Sequence, residues 1–335
     1  MKKVFISKNY RDKYTASSKA KYDCEKILEG QKYENIGLPR AYMTNKYIGQ
    51  LYTILSNLLA YLCMPSHGIV LLQYPVAMFS WQIKRAKQKK NKVIVIIHDL
   101  NALRGLCNDE IRNIEQTDVV IVHTEAMKRW FEENTKCKNI VVLEIFDYLL
   151  DENAEGEINN YFSETYKSIC FAGNLGKSPF LDKLQFENVI VNLFGIGMND
   201  RILQDCCVYK GCYAPNELSH HLKSMFGLVW DGDSIETCSG VGGEYLRLIS
   251  PHKLSMYLSS GLPVIVWKES AMADFVVKNG VGYAINTLGD IDCIVAKLDN
   301  NTYKDLLHNV RQVRDKIVRG DYLSLAICKF ENKLL

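Results

Sequence analysis

A chain of 335 residues is long enough for two domains, and a hydrophobic content of 47% is enough to fill the core of each. The net charge of only +3 argues against a nucleic-acid-binding protein. The 11 cysteines show neither a CxxC pair nor the cysteine and histidine spacing of a zinc site. A scattered, odd-numbered set of cysteines indicates reduced thiols, so we expect a cytoplasmic protein.

Three segments bear on targeting and membranes. Residues 1–7 are basic and then apolar, but the apolar part is too short for a signal peptide and predicts a first strand. Residues 51–64 fall short of the roughly 20 apolar residues that span a bilayer, and they predict a buried helix. The basic run from Lys84 to Lys92 predicts a solvated helix face. The alternative is a patch that contacts an acidic partner or anionic lipid, as a peripheral protein would at the inner face of the membrane.

Strands and helices alternate along the first half of the chain. Strands are predicted at 4–7, 69–74, 92–97, 118–123 and 140–145, and helices at 16–29, 79–90 and 125–133. No GxGxxG motif occurs, so a dinucleotide site has little support. Residues 150–164 then collect acidic residues, asparagines and a glycine, which is typical of a linker.

The second half repeats the alternation. Strands are predicted at 168–172, 189–194, 208–211, 226–230, 264–267 and 282–285, and helices at 215–223, 250–260, 272–278 and across most of 301–333. Two such series joined by a linker predict an α/β protein of two Rossmann-like domains facing a central cleft. We place the domains at 1–155 and 160–335, and the last helix is a candidate to pack back on the first domain.

The most informative segment begins at Ser250. Ser250 is predicted to cap a helix and Pro251 to fill its first position, and a buried strand follows at 264–267. His252 and Lys253 then lie on the first turn, where free N–H groups and the helix dipole favour an anion. This helix start is a candidate phosphate or diphosphate site, and the alternative is a capped surface helix with a solvated lysine.

A glycine turn follows the first strand of the second half. The segment from Gly173 to Ser178 fails as a P-loop, because Phe171 stands where the first glycine belongs. Its N–H groups, with Lys177 and Ser178 near the crevice, can hold a phosphate or a sugar hydroxyl, and an ordinary tight turn is the alternative.

Asp231 and Asp233 have the spacing of a metal-binding DxD motif. A divalent ion bridging a diphosphate is one interpretation, and hydrogen bonds to sugar or ribose hydroxyls, or the capping of a turn, are the others. Gly242 and Gly243 follow, and then Tyr245, which either stacks on a base or packs in the core. A site with backbone N–H groups, a helix terminus and a lysine needs no metal to neutralise phosphate charge.

A general base for an acceptor hydroxyl has to face the second domain from the first. The candidates are His98 and Asp99, which follow the strand at 92–97, and the segment Ser17-Ser18-Lys19 near the start of the first helix. The carboxyl ends of buried strands are where α/β proteins bind ligands. A structural bond to a neighbouring loop explains His98 and Asp99 equally well.

The segment 251–267 resembles the donor site of bacterial GT-B glycosyltransferases. More narrowly, it is similar to the group that contains the third glucosyltransferase of serine-rich adhesin glycosylation and bacterial galactofuranosyltransferases. Further matching segments lie at 15–20, 97–100, 171–175 and 226–234, so the resemblance runs nearly end to end. The motifs are fairly specific for the family and do not identify the sugar.

The resemblance implies a UDP-sugar donor held mainly by the second domain, an acceptor glycan held by the first, no essential metal, no cofactor beyond the substrate, and a homo-oligomer. It places Lys253 on the diphosphate. The other donor-site residues it implies are Ser17, Ser18, Gly173, Asn174, Lys177, Gly242, Gly243 and His252, and we add Asp231, Asp233 and Tyr245. It does not place the catalytic base, for which we choose Asp99 with His98 beside it.

The resulting hypothesis is an enzyme that moves a hexosyl unit, namely glucose, N-acetylglucosamine or galactofuranose. The donor is a UDP-sugar, and the acceptor is a hydroxyl of a surface glycan or of a glycoprotein. One alternative is a non-catalytic GT-B-like partner or chaperone subunit of a glycosylation complex. Another is a metal-dependent transferase that uses the DxD motif.

Overall fold

The computed structural model describes residues 1–7, 10, 16–104, 109–150, 159–202 and 204–334. The chain divides into two compact units: Met1–Asp147 together with Gly320–Leu335, and Tyr148–Arg319. Most of the predicted linker, residues 151–158, lies outside the described residues. The α/β architecture predicted from the alternation of strands and helices is confirmed in both units.

The first unit contains a six-stranded parallel sheet. Its strands are β1 (Lys3–Phe5), β2 (Glu34–Asn35), β3 (Ile69–Tyr74), β4 (Lys92–Ile97), β5 (Val119–Val122) and β6 (Ile140–Val142), in the order β2-β1-β3-β4-β5-β6. Its helices are α1 (Ala16–Gly30), α2 (Lys46–Cys63), α3 (Phe79–Gln88), α4 (Asp109–Ile114) and α5 (Glu125–Asn134), with a 3₁₀ turn at Asn101–Arg104. Every residue of β4 after Lys92 is fully buried, as expected of a parallel strand covered on both faces.

The second unit contains another six-stranded parallel sheet. Its strands are β7 (Lys167–Asn174), β8 (Val189–Ile196), β9 (Cys207–Gly211), β10 (Phe226–Val229), β11 (Val264–Trp267) and β12 (Gly282–Ile285), in the order β12-β11-β10-β7-β8-β9. Its helices are α6 (Pro215–Leu218), α7 (Gly240–Tyr245), α8 (His252–Ser259), α9 (Ala273–Lys278), α10 (Asp290–Lys297) and α11 (Asn300–Arg319). Turns of 3₁₀ helix lie at Leu175–Lys177, Pro179–Lys183 and Asp200–Ile202. Trp230, Trp267 and Tyr303 are the largest side chains in its hydrophobic core.

The helical region predicted at 301–333 is two helices. The second is α12 (Asp321–Leu334), and Gly320 separates it from α11 with a φ of +77°. That conformation suits glycine, so the chain turns there instead of continuing one helix. Helix α12 packs on α1 and β6 of the first unit.

Two other predicted helices differ from the structure. The helix predicted at 215–223 ends at Leu218, and turns follow it. The buried helix predicted at 51–64 forms as α2, but the prediction that it is buried is wrong, because Leu51, Leu58 and Leu62 remain 58%, 41% and 74% exposed. Among the described residues, no helix combines the length and the apolar character required to cross a bilayer.

Candidate functional site

The chain reverses direction within the second sheet. It runs from β7 outward to β8 and β9, and then returns to β10 on the opposite side of β7. In parallel α/β sheets such a reversal leaves a crevice at the carboxyl ends of the two central strands, and ligands bind there. Gly173 and Asn174 end β7, and Trp230 and Asp231 follow β10, so these four residues border the crevice.

Helix α8 brings a lysine to this crevice. The predicted cap at Ser250 is wrong by one residue, because Pro251 is the N-cap, with extended backbone angles (φ −74°, ψ 139°). The carbonyl of Pro251 accepts the N–H of Leu254 at 3.0 Å, and the helix therefore begins at His252. The Ser250 hydroxyl is buried and has no hydrogen-bond partner among the described residues.

The Lys253 ammonium lies between the ends of β7 and β10. Its Nζ is 3.4 Å from the carbonyl oxygen of Trp230 and 4.2 Å from the centroid of the Phe171 ring. Gly173 leaves room beside it, since a Cβ on that residue would lie 3.7 Å from Nζ. Lys253 is partly exposed, whereas residues 254–259 of α8 are buried. The first turn of α8 is thus only partly covered by the protein.

The surroundings of Lys253 shift its protonation equilibrium. Burial lowers the pKa of the ammonium below its usual value, and the negative charge of Asp231 opposes that shift. A partly desolvated cation interacts more strongly with an approaching anion than a fully hydrated one does. The crevice is therefore suited to a ligand whose charge lies close to Nζ.

The segment after β10 folds tightly and presents Asp231 inward. Gly232 has a φ of +105°, and a Cβ there would lie 2.4 Å from the Ser239 carbonyl oxygen, so this position requires glycine. The Gly232 N–H donates to Asp231 Oδ1 at 2.8 Å. A Cβ on Gly242 would lie 3.2 Å from the same oxygen. Asp231, Gly242 and Lys253 thus lie near one another, and their role in binding a donor stays a prediction.

Asp233 is directed elsewhere. Its side chain is exposed and accepts a hydrogen bond from the Ser239 hydroxyl, which lowers the pKa of the carboxyl. Lys183 donates to the Asp233 carbonyl oxygen at 2.6 Å. The described residues contain no group of three or more His, Cys, Asp or Glu side chains placed to hold a metal. Metal independence of the reaction stays a prediction.

The glycine turn after β7 packs against the end of β8. A Cβ on Gly197 would lie 2.7 Å from the Gly176 amide nitrogen and 3.0 Å from Asn174 Oδ1. The Ser178 hydroxyl closes the turn by donating to the Asn174 carbonyl at 3.1 Å. Close approach of the two chain segments accounts for these glycines. Lys177 extends into solvent from this turn.

Two further predicted donor-site residues, His252 and Tyr245, lie at the start of α8 and at the end of α7. His252 is partly buried on the first turn of α8, next to Lys253. Tyr245 is only 6% exposed at the end of α7. Gly243, in the same helix, has no room for a side chain, since a Cβ would lie 2.3 Å from the Cys238 carbonyl carbon.

The remaining candidates belong to the first unit. His98 Nε2 is 2.8 Å from Gln73 Oε1, and the Gln73 amide nitrogen in turn donates to the Lys21 carbonyl of α1 at 3.3 Å. Asp99 accepts the N–H of Leu100 at 3.0 Å. Ser18 is buried on the first turn of α1, where Ser17 also lies. His98 and the start of α1 thus lie at the carboxyl edge of the first sheet, linked through Gln73.

Three residues of the crevice have no counterpart in the sequence predictions: Phe171, Trp230 and Cys238. A signal for Phe171 was available, because residues two apart on a strand share a face and Phe171 stands two before Gly173. Trp230 contributes a backbone carbonyl, which leaves no trace in side-chain identity. Cys238 is a buried thiol whose pKa is raised by burial to about 12, so it is uncharged beside Lys253, and no motif marks it.

Two Rossmann-like units with a ligand crevice in the second are the components of a GT-B glycosyltransferase. The whole chain is similar to the structure of WaaG, a glycosyltransferase involved in lipopolysaccharide biosynthesis, with a TM-score of 0.52 at 9% identity. The alignment covers 95% of this chain and 98% of WaaG. The predicted GT-B fold class is confirmed.

The family follows from the sequence. Models of the glucosyltransferase 3-like N-terminal and C-terminal domains match residues 3–145 and 169–330. The chain belongs to the glucosyltransferase 3-like family and is a glycosyltransferase. It is 30% identical to the beta-1,6-galactofuranosyltransferase WbbI of Escherichia coli (strain K12), over 92% of each chain. It is 25% identical to glucosyltransferase 3 of Streptococcus gordonii, over 69% of this chain and 68% of that protein.

Proposed function

We propose that this glycosyltransferase takes a hexosyl group from a UDP-sugar and holds the donor diphosphate in the crevice between β7 and β10. The observation that carries the proposal is the position of the Lys253 ammonium, which lies at the strand-order reversal on the first turn of α8. The names of two relatives, a galactofuranosyltransferase and a glucosyltransferase, support a hexosyl unit as the group transferred.

The crevice can stabilise the negative charge that develops on the nucleotide as it leaves. Transfer breaks the bond between the anomeric carbon and the β-phosphate oxygen, so negative charge grows on the leaving UDP. Lys253 and the positive end of the α8 dipole face that charge from fixed positions, and preorganised groups of this kind stabilise a transition state. Because the carboxylate of Asp231 repels a phosphate, we assign it to a sugar or ribose hydroxyl, and the donor site then needs no metal ion.

The acceptor in this proposal is a glycan or glycoprotein hydroxyl bound by the first unit. His98 and Asp99 are the proposed groups that receive the hydroxyl proton. Gln73 orients the His98 ring through the contact at Nε2, as a general base requires.

The test replaces Lys253 with methionine, which keeps the length of the side chain and removes its charge. We expect UDP to raise the melting temperature of the wild type, because a ligand that binds only the folded state stabilises it. In Lys253→Met that rise should vanish, and transfer from a panel of UDP-hexoses should fall by about 100-fold. Lys304→Met is the matched control, since Lys304 is an exposed lysine of α11 in the same unit.

Two results would count against this donor site. One is transfer by Lys253→Met at the wild-type rate. The other is a wild-type protein whose melting temperature does not respond to any UDP-sugar or to UDP. Activity that disappears in a chelator and returns with a divalent cation would contradict the metal-free mechanism.

A further inference from the structure

Helix α2 is amphipathic in the opposite sense to an ordinary surface helix. The residues it buries are Gly49, Ser56, Asn57 and Ala60, which are small or polar. The residues it exposes by more than a third are mostly large and apolar: Tyr47, Ile48, Leu51, Ile54, Leu55, Leu58, Leu59 and Leu62. A surface helix of a globular protein normally directs its apolar stripe to the core.

Specific hydrogen bonds hold the polar side of α2 against the protein. The Ser56 hydroxyl donates to the Ser7 carbonyl and accepts the Leu38 N–H, each at 3.0 Å. The Gln82 amide of α3 donates to both the carbonyl and the side-chain oxygen of Asn57, each at 3.0 Å. Rotating the helix to bury its leucines would leave these buried polar groups without partners, which is strongly unfavourable. The orientation of α2 is therefore fixed, and its apolar face stays outward.

The exposed residues form one continuous stripe. Leu51, Leu55, Leu58 and Leu62 follow each other at intervals of four, three and four residues, so they lie along one line of the helix. An exposed apolar patch of this kind marks a surface that contacts a partner or a membrane. The helix has 18 residues, which corresponds to about 27 Å of length.

The segment that carries α2 is cationic throughout. Residues 35–98 contain eight Lys and Arg and no Asp or Glu, whereas the whole chain has 38 acidic residues. Asp118 pairs with Lys87 and Lys92, and Glu25 pairs with Arg40, so five of the eight cations have no acidic partner among the described residues. Helix α3 packs beside α2, where the Arg85 guanidinium lies 4.4 Å over the Tyr61 ring and that ring stacks on Trp81 at 4.1 Å. Lys84, one turn from Trp81, is exposed and has no acidic partner among the described residues.

We propose that α2 seats the protein on an anionic lipid surface. The helix would lie in the plane of the interface, with its leucine stripe among the acyl chains and the cationic residues of α3 at the headgroups. Apolar burial and attraction to anionic headgroups act together in this geometry. Because its opposite side is bonded to the protein, α2 lies on the membrane and does not enter it end-on.

The charges favour lipid over a second copy of the chain. Two copies joined by this face in a symmetric dimer would bring the same cationic segment of each protomer together. The segment contains no acidic residue to offset that repulsion, and the neighbouring carboxylates of Asp118 and Glu25 are already paired with Lys87, Lys92 and Arg40. An anionic bilayer offers the complementary charge and an apolar layer in one partner.

The test is sedimentation of the full chain, without nucleotide, with vesicles of phosphatidylcholine alone or with about 30 mol% phosphatidylglycerol. We expect binding to the anionic vesicles, weakening with salt, and little binding to the neutral ones. The double variant Leu55→Gln/Leu58→Gln should bind about tenfold more weakly, because it removes apolar area from the stripe. Leu325→Gln is its control, since Leu325 is 57% exposed on α12 of the same unit and is expected to leave binding unchanged.

A second pair of variants separates charge from apolar contact. Lys84→Ala should weaken binding to anionic vesicles by a few-fold, whereas Lys329→Ala, an exposed lysine of α12, should not. Equal sedimentation of the wild type and the leucine variant would overturn the proposal. So would a wild-type oligomer that dissociates in the leucine variant and never binds vesicles, since the stripe would then be covered by a second copy. Vesicle binding does not depend on the donor site, so Lys253→Met should retain it.

Discussion

Gly173 and Gly195 lie side by side at the carboxyl edge of the second sheet, yet they are constrained differently. Gly195 has a φ of +131°, and a Cβ there would lie 1.8 Å from the Gly173 carbonyl oxygen. A Cβ on Gly173 would make only ordinary van der Waals contacts, with the end of Lys253 at 3.7 Å and with the Phe171 ring at 3.9 Å. Gly195 is therefore required for folding, whereas Gly173 leaves space for a ligand.

Alanine substitutions should separate these two roles. Gly195→Ala is expected to lower the free energy of unfolding by about 2 kcal/mol or more, through backbone strain and a clash that cannot relax. Gly173→Ala should change it by less than about 1 kcal/mol, and it should weaken UDP binding by narrowing the space beside Nζ. Urea denaturation and titration with UDP measure both effects. Comparable destabilisation by the two substitutions would show that Gly173 is structural.

His123 should make stability depend on pH. Its ring is 2% exposed, Nε2 is 2.8 Å from the Ile97 carbonyl, and burial lowers the pKa of the imidazole to about 4. The unfolded chain therefore binds a proton more readily than the folded one between pH 6.5 and 4. The contribution of His123 is complete above pH 6.5 and is lost as the pH falls towards 4, by up to about 3 kcal/mol in total.

The control for His123 is His123→Gln, whose amide can still donate to the Ile97 carbonyl. Wild type and variant have to be compared at each pH, because Asp147 acts in the opposite direction. Burial raises the pKa of Asp147 to about 7, so the folded chain holds this proton more tightly than the unfolded chain does. The stability that comes from this protonation is lost as the pH rises from about 4 towards 7. If the two proteins lose stability in parallel between pH 7 and 4.5, His123 is not the group responsible.

At the scale of elements, Asp147 caps α12 from outside the helix. Its carboxylate accepts the N–H groups of Leu323 at 2.7 Å and Tyr322 at 3.2 Å. Asp147→Ala should cost about 1–2 kcal/mol, because both buried donors lose their acceptor. Asp147→Asn keeps one acceptor oxygen and should cost less. Equal stability of the alanine variant and the wild type by denaturation at pH 7 would mean that the cap contributes nothing.

Elements set by local pattern were predictable from the sequence. The run at 92–97 forms β4 as predicted, because a strand covered on both faces requires a continuous apolar run. The orientation of α2 was not predictable, since its buried side is chosen by partners far along the chain, such as Gln82. Helix α8 begins one residue later than predicted, because Pro251 has an extended ψ and is the N-cap. Capping rules locate a helix end only to within one or two residues.

The candidate site was predictable to the extent that strand ends define it. Gly173, Asp231 and Lys253 each follow or face the carboxyl end of a predicted strand, and the parallel order of the sheet brings them together. Sequence spacing could not show which of Asp231 and Asp233 lies near Lys253, because the direction of each carboxylate depends on the turn at Gly232. The Trp230 carbonyl was unpredictable, because every residue carries one.

At the scale of the whole molecule, the chain ends in the unit where it began. Helix α11 belongs to the second unit and α12 to the first, with Gly320 between them. A Cβ on Gly320 would lie 2.5 Å from Ile27 of α1, so the crossing chain approaches the first unit too closely for any side chain. On α12, Leu323, Ile327 and Phe330 are fully or almost fully buried.

Ending the chain at Arg319 should therefore destabilise the amino-terminal unit selectively. Each large side chain lost from α12 removes about 1.5–3 kcal/mol of burial, and the sum approaches the whole stability of a typical domain. We expect amide hydrogens of α1 and β1 to lose protection from exchange, while those of β7 and β10 keep it and UDP still protects the residues around Lys253. Leu325→Gln, on the exposed side of α12, should leave the exchange pattern of both units unchanged. If the truncated chain instead lost protection in β7 and β10 and kept it in α1, α12 would be a support of the donor unit, and the division of the chain at Gly320 would be wrong.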